Sequence, residues 1–314
     1  MIVTCTPNPS IDRTIEIETL LRGEVQRATA VRVQAGGKGI NVARALHDNG
    51  HDAHAVAPLG GDEGELFAAL VAASGVAFTP VPLDGSIRVN ITLAETGGTT
   101  TKINDVGPTL DADARQRLLD ATLGAVGDGV RWVAGCGSLP PGAGDDFYAA
   151  LVGQAREAGV RVAVDTSGAA LTAVVAAGPD LIKPNHHELA ELVDDELKTF
   201  GDVVDAAREV VGRGVDSVLV SLGGDGALLV TADDVRYGST DPVEVRSTVG
   251  AGDSMLAGFL AGGGRGPEAL ASGLTWAAAA VSLPGTTIPG PDDLRPSSTH
   301  VTTEFDPNRP LEGD

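Results

Sequence analysis

Short apolar runs alternate with longer segments of helical periodicity over most of this 314-residue chain. The apolar runs have the length of strands and lack polar positions, which is typical of strands buried on both faces of a parallel sheet. We predict strands at residues 130–134, 160–164, 180–182 and 215–220, and helices at 111–127, 146–158, 187–193, 202–213 and 255–261. This alternation predicts an α/β fold with helices on both faces of a mostly parallel sheet.

Two pairs of segments carry a different pattern, in which polar and apolar residues alternate. Residues 14–18 and 27–33 form one pair, and residues 88–93 and 99–103 form the other; each segment has the pattern of a half-exposed strand. We interpret them as insertions at about 13–34 and 86–106 that form one small β-sheet, a lid over the carboxyl ends of the central strands. A small sheet with one apolar face predicts a homodimer formed through the lid.

No linker, repeat or low-complexity tract divides the chain, so we predict one domain over residues 1–314, with a surface-bound or frayed tail at 290–314. The net charge of −21 argues against nucleic acid or an anionic membrane as a partner. No apolar run approaches the roughly 20 residues of a membrane span. The first residues lack the pattern of a signal peptide, and two isolated cysteines do not suit a disulfide framework. We therefore expect a cytoplasmic protein.

Lysine is scarce, because the chain contains only Lys38, Lys102, Lys183 and Lys198. Two interpretations of this acidic, lysine-poor composition stay open: adaptation to concentrated salt, or the codon bias of a high-GC genome. Three of the four lysines lie in or beside the motifs described next. Most of the few lysine side chains are thus near motifs where their positive charge could bind an anionic substrate.

The segment at residues 247–254, Ser-Thr-Val-Gly-Ala-Gly-Asp-Ser, follows a strand-like run and opens an apolar helix. Gly250 and Gly252 allow close approach of a ligand to the backbone, and a helix N-terminus presents free N–H groups to an anion. Asp253 in the same turn would repel a resting phosphate unless it takes part in a reaction. An anion site with an adjacent carboxylate favours phosphoryl transfer, in which a hydroxyl needs a base and the phosphoryl group needs donors.

A second glycine-rich turn, Gly-Gly-Lys-Gly-Ile-Asn-Val, covers residues 36–42 and leads into a helix. The Walker A and dinucleotide-binding patterns are both absent. Lys38 and Asn41 are candidates to face a polar ligand that lies on the glycines. A purely structural turn between a strand and a helix is the alternative.

Three further motifs have competing structural explanations. Asn185 and Glu188 have the spacing of a capping box, although both could also lie near Mg²⁺ that is held largely through water. The adjacent His186 and His187 make a poor metal pair and suit surface or packing roles. Residues 221–227 fit either a glycine hairpin or a loop beside a nucleotide. Ser138, at the end of a predicted strand, is either a ligand contact or a turn residue.

Together these motifs, in this order, resemble the ribokinase-like (PfkB) family of sugar kinases over the chain to about residue 290. The pair of turns at 36–42 and 248–254 carries most of the resemblance. It implies a ribokinase-like three-layer sandwich with a small β-sheet lid. The start Thr-Pro-Asn-Pro-Ser-Ile-Asp at 6–12 and the string Lys-Pro-Asn-His-His-Glu at 183–188 resemble the branch that phosphorylates ketohexose phosphates.

The resemblance also implies roles for single residues. Asp253 is similar to the family's base, and the N–H groups of Gly250, Ala251 and Gly252 to its anion hole. The residues implied for the sugar phosphate are Asp12, Gly36, Gly37 and Asn41 for hydroxyls, with Arg27, Lys38, Arg88, Asn90, Lys102 and Ser138 for the phosphate or nearby atoms. Those implied for ATP are Lys183, Asn185, Ser221, Gly223, Gly226, Thr248, Gly250 and Gly252, with Asn185 and Glu188 linked to Mg²⁺.

The function implied by the resemblance is ATP- and Mg²⁺-dependent phosphorylation of fructose 1-phosphate. Phosphorylation of fructose 6-phosphate or tagatose 6-phosphate is the alternative, because all three sugars present a phosphate and a primary hydroxyl at opposite ends. Residues 99–102, Thr-Thr-Thr-Lys, depart from the acidic residue that many relatives carry there, which leaves the phosphate position open. A non-catalytic sensor of sugar phosphates is a more remote alternative, since the residues implied for catalysis are all present.

Overall fold

The computed structural model describes residues 1–312, which form two β-sheets and nine α-helices. The strands are β1 Ile2–Cys5, β2 Ser10–Ile17, β3 Ala30–Gly36, β4 Ala53–Leu59, β5 Ala77–Pro82, β6 Arg88–Glu95, β7 Thr100–Ile103, β8 Trp132–Cys136, β9 Arg161–Asp165, β10 Leu181–Ile182, β11 Ser217–Ser221, β12 Ala227–Thr231, β13 Val235–Thr240 and β14 Thr299–Thr302. The helices are α1 Lys38–Asp48, α2 Gly61–Ala73, α3 Ala112–Gly124, α4 Phe147–Glu157, α5 Gly168–Ala177, α6 His186–Val193, α7 Phe200–Gly212, α8 Ala251–Ala261 and α9 Gly266–Val281.

Ten strands form the central sheet, in the order β14-β13-β12-β11-β10-β9-β8-β1-β4-β5. The seven neighbouring strands β11, β10, β9, β8, β1, β4 and β5 run parallel to one another. Strands β12, β13 and β14 continue the sheet in antiparallel pairs. Strands β1, β8 and β10 are buried along their whole length. These buried strands explain the continuous apolar runs in the sequence, because a parallel sheet is covered on both faces.

Helices cover both faces of this sheet and enclose two clusters of apolar side chains. One cluster includes Leu118 of α3, Leu151 of α4 and Val203 of α7. The other includes Leu46 of α1 and Phe259 of α8. The α/β fold class with three layers is therefore confirmed.

Several helices begin where the sequence supplies a side-chain cap. Asp111 accepts a hydrogen bond from the N–H of Ala114 at the start of α3. Thr199 and Asp202 form a capping box at the start of α7. Such caps satisfy N–H groups that the first helical turn cannot pair internally. The predicted starts of these helices agree with the structure within a few residues.

Strands β2, β3, β6 and β7 form the second sheet, which we call the lid sheet, in the order β3-β2-β6-β7. Register places Asp12 beside Asn90, and Ile15 beside Leu93. Because side chains alternate between the two faces of a sheet, Asp12 and Asn90 lie on one face and Ile15 and Leu93 on the other. The predicted small sheet, with one polar and one apolar face, is confirmed.

The C-terminal segment, which the sequence predicts to be surface-bound or frayed, is bound to an edge of the central sheet. Thr299–Thr302 forms β14, which pairs with β13 at one edge of the central sheet. Beyond it, the N–H of Phe200 donates to the carbonyl of Arg309 at 3.0 Å. The polar composition of the segment did not predict a strand, because an edge strand is held by backbone hydrogen bonds and needs few apolar side chains.

Candidate active site

Two lysines and two aspartates meet at the carboxyl edge of the central sheet. Asp165 ends β9, and Lys183 follows β10, so the two residues come from neighbouring strands. Lys183 Nζ lies 3.1 Å from Asp165 Oδ2. Lys38, the first residue of α1, donates from Nζ to Asp165 Oδ1 at 2.7 Å. One buried carboxylate therefore holds both cations at the strand ends, where α/β folds bind ligands.

Asp165 is ionised in this cluster because of its two partners. Burial by itself would raise the pKa of its carboxyl group, but Lys183 and Lys38 together hold the pKa below its ordinary value. The same ion pair raises the pKa of Lys38 above that of a free lysine. Sequence reasoning did not single out Asp165. The available signal was its position directly after the predicted strand 160–164, at the carboxyl end of a buried parallel strand.

The turn at residues 247–254 forms the start of α8, as predicted. Gly250 has φ 81°, a left-handed conformation that favours glycine. Asp253 lies in the first turn of α8 and is 7% exposed. Its Oδ2 accepts a hydrogen bond of 2.8 Å from Asn41 Nδ2, which belongs to α1. The two glycine-rich turns of the sequence are thus joined directly through Asn41 and Asp253.

The environment of Asp253 suits a proton acceptor. Burial, followed by the negative charge of Asp165, raises the pKa of Asp253 to about 6, against the ordinary 3.8, although Lys38, Asn41 and Lys183 oppose this rise. A carboxylate with this pKa is mostly ionised at pH 7.5 yet more basic than an exposed one. Such tuning toward the working pH is what general-base catalysis requires.

The backbone beside Asp253 leaves open space next to a lysine. A Cβ atom on Gly252 would lie 3.3 Å from Lys183 Nζ, so glycine keeps the space between the helix start and this cation open. The N–H of Ala251 makes only a long contact of 3.4 Å with the carbonyl of Thr248. The N–H groups in the first turn of α8 and the positive end of its dipole favour an anion here.

The lid sheet places a polar group, Asp12, next to the glycines that precede α1. Asp12 Oδ1 accepts hydrogen bonds from Ser10 Oγ at 2.7 Å and from Asn90 Nδ2 at 3.0 Å. A Cβ atom on Gly36 would lie 2.2 Å from Asp12 Oδ2, and Gly37 has φ 114°, so both glycines are required where β3 meets α1. A fixed carboxylate accepts hydrogen bonds from hydroxyl groups, which suits a polyol.

Arg88 lines a cleft of about 720 Å³ between the lid sheet and the loop after β8. Its guanidinium donates to the carbonyls of Asn8 at 2.9 Å and Asp105 at 3.1 Å. Asn8 Nδ2 also lies 3.5 Å from Oγ of Ser138, which lines the same cleft. Arg88 donates here to carbonyl oxygens, although the carboxylates of Asp12 and Asp105 are near enough to favour its charged form. A guanidinium that forms no direct ion pair can still bind an anionic group in the cleft.

Two predicted substrate residues lie farther out on the lid. Arg27, between β2 and β3, and Lys102, on β7, are both exposed. Within residues 1–312, no hydrogen bond or ion pair joins either side chain to the lysine–aspartate cluster. A contact of either side chain with a substrate phosphate therefore stays a prediction.

The residues predicted for the nucleotide follow β10 and β11. Asn185 Oδ1 accepts from the N–H of Glu188 at 2.8 Å, and Glu188 Oε2 accepts from the N–H of Asn185 at 2.9 Å. The capping-box interpretation of these two residues is therefore confirmed, and a metal role stays a prediction. Asn185 also bridges to Ser221, which brings the two loops side by side.

The segment at residues 221–227 is a hairpin between β11 and β12, with a 3-10 turn at Gly223–Asp225. Gly226 has φ 98°, and a Cβ atom there would lie 2.1 Å from the carbonyl of Gly238. The hairpin interpretation is confirmed, and its turn lies at the same edge as Asn185 and Lys183. His186 is buried and His187 exposed, which agrees with packing and surface roles.

Asp165, Asn185 and Glu188 at this edge carry oxygen atoms, the ligand type that Mg²⁺ prefers. Within residues 1–312, no group of three or more His, Cys, Asp or Glu side chains could hold a metal ion. Mg²⁺ is commonly bound through one or two carboxylates together with water and substrate phosphates. Asp165 Oδ2 is buried without a well-aligned hydrogen-bond donor, and Glu188 is close enough to contribute to the raised pKa of Lys38.

Comparison with known proteins agrees with this arrangement. The pattern of the pfkB family carbohydrate kinases matches residues 6–293. The 1-phosphofructokinase of Rhodobacter capsulatus is 38% identical over 264 residues, 82% of each chain. The ATP-dependent 6-phosphofructokinase isozyme 2 of Mycobacterium tuberculosis is 36% identical over 299 residues, 93% of this chain and 87% of its own.

The crystal structure of phosphofructokinase-2 from Escherichia coli in complex with potassium is similar, with a TM-score of 0.88 and 34% identity over 93% of this chain and 96% of that one. No helix in the part of the chain that the structure describes is both long and apolar enough to span a bilayer. Because the family pattern covers most of the chain, and the fold and the two glycine-rich turns agree with it, this protein belongs to the pfkB family of carbohydrate kinases.

Proposed function

We propose that this carbohydrate kinase transfers a phosphoryl group from ATP to a ketohexose phosphate, and that its preferred substrate is fructose 1-phosphate. The product is then fructose 1,6-bisphosphate. The observation that carries this proposal is the buried Asp253, which has a raised pKa and lies at the start of α8, between an anion cradle and a polar lid.

In the proposed reaction, Asp253 takes the proton from the C6 hydroxyl of the sugar as this oxygen attacks the γ-phosphorus of ATP. The bond between the γ-phosphorus and the β,γ-bridging oxygen breaks, and ADP leaves with that oxygen. Asn41 holds the Asp253 carboxylate in one orientation through its 2.8 Å hydrogen bond. The N–H groups of Gly250, Ala251 and Gly252 stabilise the negative oxygens of the transferring group. Placing hydroxyl, base and phosphoryl group together supplies much of the acceleration.

The remaining residues bind the two substrates. Asp12 accepts hydrogen bonds from sugar hydroxyls, and Arg88 attracts the phosphate that the sugar already carries. Lys38 and Lys183 neutralise the phosphates of ATP when they exchange part of their contact with Asp165 for the nucleotide.

On the nucleotide side, we assign the turn at Gly223–Gly226 and the segment around Thr248 to ATP, with Ser221 and Asn185 beside them. Asn185 and Glu188 would hold Mg²⁺, largely through water, with Asp165 as a nearby carboxylate. When bound, this ion neutralises phosphate oxygens and orients the triphosphate.

A kinetic panel tests the proposed substrate. The kcat/KM values are measured with ATP and Mg²⁺ for fructose 1-phosphate, fructose 6-phosphate, tagatose 6-phosphate and free fructose. We expect the highest value for fructose 1-phosphate and the lowest for free fructose, because only the phosphorylated sugars can use Arg88. A higher value for either 6-phosphate would replace the proposed substrate, and no ADP release with any sugar would refute kinase activity on ketohexoses.

Fructose 6-phosphate is the second candidate. A relative of nearly equal identity is named a 6-phosphofructokinase. The site residues do not separate the two sugars, because each presents a primary hydroxyl and a phosphate at opposite ends of a similar chain. The position of the phosphate relative to Arg88, Lys102 and Arg27 decides between them.

We also propose that the protein is a homodimer formed through the apolar face of the lid sheet. Val31 and Ile103 on this face are 54% and 57% exposed. Ile15 and Leu93 extend the same face between them, according to the strand register. A contiguous apolar face of this kind favours burial against a second copy.

A further inference from the structure

The C-terminal segment ends against the hairpin turn that we assign to the nucleotide. After β14, the chain passes the start of α7, where the N–H of Gly201 donates to the carbonyl of Pro307 at 2.7 Å. The N–H of Leu311 donates to the carbonyl of Lys198 at 2.9 Å. These backbone bonds fix the path of residues 307–311 and bring Arg309 to the turn at Gly223–Gly226.

Arg309 forms an ion pair with Asp225, the only charged side chain of that turn. The Asp225 side chain is 1% exposed, whereas that of Arg309 is 41% exposed. The second carboxylate oxygen of Asp225 accepts a hydrogen bond of 2.8 Å from the N–H of Glu312. Both oxygens of this buried carboxylate are therefore satisfied by residues 309–312, more than 80 positions away in the sequence.

The same contact also fixes the backbone of the turn. Tyr237 Oη donates to the carbonyl of Asp225 at 2.9 Å, and Arg309 Nη1 donates to Tyr237 Oη at 3.2 Å. The Arg309 guanidinium lies 4.8 Å above the ring of Phe200, so packing on α7 restricts its orientation. Arg309 thus contacts the side chain of Asp225 directly and its carbonyl through Tyr237.

This arrangement matters for function because of where the turn lies. Gly223 and Gly226 are the first and last residues of the turn that contains Asp225. Because glycine has no side chain, it leaves its backbone groups accessible to a ligand but does not restrict its own conformation. Rigid placement of such a loop has to come from a neighbour. Loss of the Arg309 contact would leave a buried carboxylate without its partner and allow the turn to move toward water.

We propose that Arg309 is a positioning residue for ATP, which acts by holding Asp225 and with it the turn at Gly223–Gly226. This inference depends on the assignment of the turn to the nucleotide in the proposed function. The sugar side is built on the lid sheet and α1, so the effect of Arg309 falls on ATP and spares the sugar phosphate.

The test compares Arg309→Ala, Arg309→Lys and Asp225→Asn with the parent protein. Calorimetric Kd values for ADP are measured without sugar, and KM values for ATP and for the sugar phosphate are measured separately. We expect Arg309→Ala to weaken ADP binding about 10- to 100-fold, the range for a displaced positioning group, with an unchanged KM for the sugar phosphate. Arg309→Lys should recover part of this loss, because it restores the charge next to Asp225.

Arg236→Ala is the matched control, because Arg236 on β13 forms an ion pair with Asp234 in the turn between β12 and β13, at the opposite end of β12 from the Gly223–Gly226 turn. This variant should bind ADP as the parent does. Unchanged ADP binding in Arg309→Ala, or equal rises in the KM values of both substrates, would overturn the proposal. If Arg309→Ala does not fold, Asp225→Asn gives the same readout with a side chain of the same size.

The ADP measurement also separates this inference from the proposed function. A parent that binds ADP but phosphorylates no ketohexose would refute the proposed substrate class, while a selective loss of ADP binding in Arg309→Ala would still support the positioning role. A parent that binds no nucleotide would refute both.

Discussion

Replacing Asp253 with asparagine should make the protein more stable at neutral pH while it removes most of the activity. The carboxylate is buried at the start of α8, and its pKa is raised to about 6 by burial and by the charge of Asp165. An asparagine of the same shape carries no charge and can still accept the hydrogen bond from Asn41. The folded protein then no longer has to hold an ionised carboxylate away from water.

The size of this effect follows from the two pKa values. The folded value of about 6 exceeds the ordinary 3.8 by about 2.2. At roughly 1.36 kcal/mol for each pH unit, ionised Asp253 lowers the free energy of unfolding by about 3 kcal/mol. For a chain of this length, the corresponding rise in Tm for Asp253→Asn is about 4–5 °C.

The sign depends on pH. Between about pH 4 and 6 the folded state keeps the proton that the unfolded state has already lost, so the stability of the parent falls as pH rises through this window. Above this pH window, ionised Asp253 lowers the free energy of unfolding by the full amount. Below the window, the carboxyl group is protonated in both states and this loss of stability disappears. The stability gain of Asp253→Asn should therefore be present at pH 7.5 and mostly lost at pH 4.

Urea unfolding of parent and variant at both pH values measures this difference, and kcat should fall about 10²- to 10⁴-fold, the range for loss of a general base. Asp165→Asn is the opposite control. The pKa of the Asp165 carboxyl group is lowered in the folded parent, so its ionised form stabilises the fold at pH 7.5. The variant removes this charge from between Lys38 and Lys183 and should therefore be less stable at that pH. An Asp253→Asn variant that is no more stable than the parent at pH 7.5 would refute the reasoning.

Three further predictions concern the substrate phosphate, the lid and the surface charge. Arg88→Ala should raise KM for fructose 1-phosphate and leave KM for free fructose unchanged in steady-state assays, whereas equal losses on both sugars would place the phosphate elsewhere. Ile103→Glu should convert the proposed dimer to a monomer in light scattering, since it puts a charge on the apolar face of the lid sheet; a parent that is already monomeric would exclude the dimer. If the net charge of −21 reflects adaptation to salt, Tm should climb steeply into molar KCl, and a flat response would favour codon bias.

Local signals in the sequence were sufficient for much of the fold and for half of the site. The apolar runs predicted the buried strands, and the alternation of polar and apolar residues predicted the lid strands. The two glycine-rich turns located Asp253 and Lys38, because left-handed glycines and a helix start are encoded by adjacent residues. The predicted nucleotide and substrate contacts of single side chains stay predictions.

Other features depend on which distant segments become neighbours. Asp165 receives both lysines only because β9 lies between β8 and β10 and faces the start of α1. The C-terminal strand pairs with the distant β13, and the contact of Arg309 with Asp225 joins positions that are 84 residues apart. Neither periodicity nor spacing in the sequence reports such long-range pairing.

Strand β5, at the far edge of the central sheet, limits how copies of this protein can associate. The N–H of Leu83 donates to the carbonyl of Leu59 on β4. Because successive backbone nitrogens of a strand point to opposite sides, those of Pro80 and Pro82 point outward, away from β4. Proline has no N–H, and this rim therefore offers no donors at two successive outward positions for an eleventh strand. Fibre-like growth by edge-to-edge addition is blocked on that side, which leaves self-association to other surfaces of the molecule.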